Sequence, residues 1–97
     1  MALQTDWQRR LDDPAEPLYT LAVVSDLLGV DPQTVRRMDI PQLAPPARPS
    51  GNQRRYSRND VTLLAHAFRL SDEGLAMGAI ARILALELEV ERLQDRP

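Results

Sequence analysis

Apolar residues recur at helical spacing in separate stretches of the chain, and polar cap residues punctuate them. Leu21, Val24 and Leu28 stand at i, i+3 and i+7 behind Thr20, a good N-cap, which predicts a helix over about 21–28. Gly29 supplies the positive φ that ends a helix cheaply. Asp31-Pro32 then restarts one as N-cap and first-turn proline, predicting a second helix from about Pro32 to Asp39. Two short helices joined through one glycine make a helix-turn-helix. On the second helix Val35 and Met38 face one way, while Gln33, Arg36 and Arg37 project from the other side with Thr34 on the flank.

Ser57-Arg58-Asn59-Asp60 reads as a capping box with Asp in the place usual for Glu. Val61, Leu64, Ala65 and Phe68 follow as an amphipathic stripe, which predicts a central scaffold helix. Ser71-Asp72-Glu73-Gly74 breaks it, and a last helix runs from about Ala76 to Gln94. That helix carries two apolar stripes. Ile83, Leu86, Val90 and Leu93 follow 3, 4, 3 spacing, while Met77, Ile80, Leu84 and Leu88 lie on another side. One stripe suffices to dock on the domain, so the other suits a partner helix; the first is the expected dimer or partner interface.

Residues 40–57 hold four prolines and a Ser-Gly-Asn turn, which excludes a long helix there. The turn Pro49-Ser50-Gly51-Asn52 predicts a hairpin, with one strand near Leu43–Arg48 and another near Gln53–Ser57. This wing would carry Arg48, Arg54 and Arg55, and Tyr56 either packs its ring inward while its hydroxyl reaches a phosphate, or is structural only. Residues 1–17 read as a flexible arm with one lone Trp7. The organisation expected is an arm over 1–17, a winged helix-turn-helix over 18–75 and a C-terminal helix over 76–97.

The net charge of −2 argues against a polyanionic partner until its distribution is considered. Residues 33–58 carry six arginines against Asp39 alone, while the flanking segments are acidic. Local potential, not net charge, decides whether phosphate binds. Every basic residue is arginine, whose fork suits phosphate and guanine. Gln and Arg on an exposed helix face have the chemistry to read base edges in a major groove.

No cysteine and a single histidine, His66, exclude disulfides and thiolate sites and leave no basis for a metal centre or cofactor. His66 has no partner of its own kind and reads as a surface residue. No nucleophile, histidine–carboxylate pair or glycine-rich phosphate loop points to an enzyme. No apolar run is long enough to span a bilayer, and the N-terminus has charges where a signal peptide is apolar. A cytoplasmic, nucleoid-associated protein is expected.

The order helix, turn, helix, arginine wing, long helix, terminal helix resembles the MerR-like family of transcription regulators, and within it the heat-shock repressor branch. The matching pieces are Tyr19-Thr20, Gly29-Val30, Pro32-Gln33-Thr34, Arg36, Arg54-Arg55-Tyr56-Ser57, Asp72-Glu73-Gly74 and Ile80 with Ile83, spread over 18–94. The resemblance implies a mostly α winged helix-turn-helix binding double-stranded DNA as a homodimer on an inverted repeat. Contacts would come from Gln33, Thr34, Arg36, Arg37, Arg48, Arg54, Arg55 and Tyr56. It also implies repression of chaperone genes, with an Hsp70-type chaperone as co-repressor. The chain departs from the family pattern at Met38, where a tyrosine is usual, and at Pro41-Gln42, where Leu-Gly is usual. It ends soon after the terminal helix, so no small-molecule effector is expected. The alternative is a MerR-like chaperone modulator, an adaptor that binds a J-domain partner instead of DNA; an excisionase-like architectural factor is a third reading.

Overall fold

The computed structural model describes residues 5–43 and 54–95. In chain order the elements are α1 (Asp6–Asp12), β1 (Tyr19–Thr20), α2 (Leu21–Leu28), α3 (Pro32–Arg37), β2 (Arg55–Tyr56), α4 (Arg58–Asp72) and α5 (Met77–Gln94). The mostly helical, winged helix-turn-helix class expected from sequence is the class observed.

The cap residues act as their chemistry dictates. Thr20 accepts from the Val23 N–H at 3.2 Å, which starts α2, and Gly29 closes it at φ 68°. Asp31 accepts from the Gln33 N–H at 2.7 Å and starts α3. Ser57 and Asp60 form the capping box of α4: the Asp60 N–H donates to Ser57 Oγ, and the Ser57 N–H to Asp60 Oδ2. Gly74, at φ 92°, follows the end of α4.

The core joins Val24 of α2, Val35 of α3, Met38 and Ile40 after it, Tyr56 of β2, Leu64 and Ala67 of α4, and Ile80 and Leu84 of α5. α3 stops at Arg37, two residues sooner than its apolar spacing suggested. The reason is Ile40, which is buried. A helix continued through it would carry its side chain about 140° around the axis from Val35. Met38 leaves helical geometry at ψ 73°, and both Met38 and Ile40 then reach the core.

β2 pairs antiparallel with β1, placing Tyr19 opposite Tyr56 and Thr20 opposite Arg55. The wing was expected to pair locally with a strand near Leu43–Arg48. Of that strand only Leu43 is described, and it closes a turn by donating its N–H to Ile40 O. Arg48 and the Pro49–Asn52 turn lie outside the described residues.

Two further features reach beyond the sequence reading. Residues 1–17, read as an arm, contain α1, and the arm touches α4: Arg58 Nη2 donates to Leu11 O at 3.1 Å and the Asn59 N–H to Pro14 O at 3.0 Å. After α3, the Gln42 side-chain amide donates to Ala81 O of α5 at 3.0 Å. The last helix docks through Ile80 and Leu84 of its second stripe.

Candidate nucleic-acid interface

α3 is about 9 Å long at 1.5 Å per residue, and a helix about 10–12 Å across with its side chains fits a groove about 12 Å wide. Its orientation follows from Val35, 2% exposed, which fixes one side to the core. Gln33, Thr34, Arg36 and Arg37 are all exposed on the remainder. Arg36 and Arg37 form no ion pair with any described residue, whereas Arg9, Arg10 and Arg92 each pair with a carboxylate, on Asp6, Glu16 and Glu89 respectively. The hydrogen bond from Arg10 to Glu16, and that carboxylate's charge, also raise the Arg10 pKa. These three paired arginines lie on α1 and α5, whereas the two on α3 have no such pair among the described residues.

The wing residues are placed less uniformly than the run Arg54-Arg55-Tyr56 suggested. Tyr56 is 4% exposed and belongs to the core, so its ring has almost no surface to offer a phosphate. The Arg54 guanidinium carbon lies 4.9 Å from the centre of that ring. Arg55, half-buried like Arg54 and opposite Thr20, forms no ion pair with any described residue. Arg58, counted with the basic stretch in sequence, is turned to the arm, where its cation sits at the C-terminal end of α1.

α5 presents Leu86 at 55%, Val90 at 52% and Leu93 at 48% exposure, with Ile83 half-buried at the head of the row. Between α4 and α5, His66 Nδ1 accepts from Arg69 Nη2 and His66 Nε2 meets the Glu87 carboxylate at 2.9 Å. Arginine can only donate, so the proton of a neutral His66 ring sits on Nε2 and faces Glu87. His66 is therefore a link between helices, which its isolation in sequence gave no means of seeing. Among the described residues, no group of three or more His, Asp or Glu side chains is placed to hold a metal ion. No described helix is long and apolar enough to cross a membrane.

Residues 19–87 match the family described as MerR HTH family regulatory protein. The chain belongs to the MerR family. Among its relatives in that family, a Streptomyces coelicolor protein that carries the name heat shock protein HspR is 43% identical over 81 residues, covering 82% of this chain and 54% of the relative. The HTH-type transcriptional regulator GlnR of Bacillus anthracis is 33% identical over 76 residues, covering 78% of this chain and 59% of its own, and GlnR of Bacillus cereus matches to the same extent. This MerR-family chain thus spans a little over half the length of the curated relatives it matches. The match begins at Tyr19, so α1 lies outside the matched segment.

Proposed function

We propose that this chain is a DNA-binding transcriptional regulator of the repressor type. It inserts α3 in the major groove and sets the wing against the phosphate backbone. The observation that carries the reading is the division of α3: Val35 holds it to the core, while Gln33, Thr34, Arg36 and Arg37 stand in solvent, the two arginines with no acidic partner among the described residues. Gln33 and Arg36 suit adenine and guanine edges, and Thr34 and Arg37 suit flanking contacts. Arg55 suits a backbone phosphate, which orients the protein without reading sequence. Arg48 belongs to the same wing on sequence grounds.

The row of exposed Leu86, Val90 and Leu93, with half-buried Ile83 at its head, supports assembly as a homodimer, and hence an inverted-repeat site. Similarity to the protein named heat shock protein HspR supports a place in the heat-shock response. The adaptor reading draws on one observation, the apolar row on an otherwise acidic helix carrying Glu87, Glu89 and Glu91.

The test is selection of genomic fragments by the full chain, followed by footprinting. The regulator reading expects an inverted repeat with half-sites spaced by one helical turn, about 34–36 Å, or a multiple of it. Failure to enrich any fragment, combined with capture of a chaperone, would hand the function to the adaptor.

A further inference from the structure

We infer that two neighbouring wing arginines divide the work: Arg55 is the phosphate contact, and Arg54 is a positioning residue that clamps the wing strand to the core through the ring of Tyr56. The inference rests on the DNA-binding reading and refines which side chain does what within it.

Successive side chains along a strand point to opposite faces. Tyr56 faces the core at 4% exposure, so Arg55 faces the other way. Arg54 returns to the side of Tyr56, and its guanidinium carbon lies 4.9 Å from the ring centre, within the range in which a cation is held by an aromatic face. Its half-buried position strengthens that attraction, because the surroundings are less polarisable than water. The ladder beneath is only two residues long, Tyr19–Thr20 against Arg55–Tyr56, so few backbone bonds set the strand's direction. A cation seated on a ring that is itself fixed in the core fixes the strand, and with it the direction in which Arg55 leaves. Arg55 forms no ion pair with any described residue, as a phosphate contact requires.

Salt dependence separates the two roles, since each phosphate contact adds about 0.9 to the slope of log affinity against log salt. The full chain is titrated into an enriched duplex, with unrelated duplex as control. Arg55→Gln should flatten the slope by about 0.9 for each protomer bound. Arg54→Gln should leave the slope unchanged while weakening binding severalfold. Tyr56→Phe, which keeps the ring, should behave as the unmodified chain, and Tyr56→Leu should reproduce Arg54→Gln. Thermal unfolding of Arg54→Gln, Tyr56→Leu and the double variant gives a readout that needs no DNA: the double variant should be no less stable than Tyr56→Leu alone. An equal flattening of slope by Arg54→Gln and Arg55→Gln overturns the division, as do additive losses in the thermal cycle. If Tyr56→Leu fails to fold, the slope of Arg54→Gln decides alone. If the unmodified chain binds no duplex, the proposed function fails, and the thermal cycle alone still decides the clamp.

Discussion

Replacing Leu86 and Val90 together with Asp removes the middle of the exposed row on α5 and leaves its docked side intact. Leu86 is 55% exposed and Val90 52%, so about half of each side chain still lies in water. Full burial of such a side chain contributes about 1.5–3 kcal/mol, which leaves about 1 kcal/mol for each to gain in a dimer. A two-fold interface uses the same patch from both protomers, so four side chains are removed and the total is about 4 kcal/mol. At about 1.4 kcal/mol for each tenfold step, the dimer dissociation constant should rise by about three orders of magnitude, before any repulsion between the new carboxylates. Sedimentation equilibrium measures it. Helical content should hold, because Ile80 and Leu84, which dock α5 on its own domain, are untouched, and any fall in Tm should be the concentration-dependent one that loss of a dimer entails. An unchanged dissociation constant would show that the row is not the seam. Loss of the fold would show that it belongs to the monomer.

Ser57→Ala removes the side-chain acceptor for the Asp60 N–H and should lower stability by about 1 kcal/mol, or about 4–8 °C in Tm for a domain of this size; no shift would deny the capping box any part in stability. Gln33→Ala or Arg36→Ala should reduce discrimination between the selected operator and scrambled duplex by about 1–3 kcal/mol for each base no longer read. Equal weakening on both duplexes, read by fluorescence anisotropy, would remove those side chains from the groove. Arg58→Ala deletes the bond to Leu11 O and should speed limited proteolysis within residues 5–17 while global stability falls by less than about 1 kcal/mol. Unaltered cleavage there would mean that the arm is held by other interactions.

Much of this fold is legible in the sequence because its helix boundaries are local events. Thr20, Gly29, Asp31 and the Ser57–Asp60 pair each act on backbone groups two or three residues away, or on their own φ, and the structure uses all of them. The parts that escaped depend on distant residues. α1 buries no side chain and is tied to the body by Arg58, 47 residues away from Leu11. Its start did leave a local mark: the Thr5 N–H donates to Gln8 Oε1, half of a capping box visible as Thr-x-x-Gln. Pairing of β2 with β1 joins segments on either side of the helix-turn-helix, and no turn between neighbours announces it. On α5 two stripes had equal claims to the core. Only the positions of α2, α3 and α4 determine that Ile80 and Leu84 are buried and Leu86 and Val90 are not. Of the proposed contacts, those on α3 follow from helical periodicity alone. The separation of Arg54 from Arg55 does not, because it depends on which face of the strand Tyr56 commits to the core.

The proposed binding depends on cationic side chains of α3 and β2 meeting the phosphates of a duplex, and the salt dependence of affinity for a selected operator measures that directly. With Arg37 and Arg55 engaged from each protomer of a dimer, four phosphates give a slope of log affinity against log salt near −3.6, about 0.9 for each contact. A steep negative slope of that order is the expected result. A slope near zero, or no measurable affinity for any duplex at low salt, would contradict it.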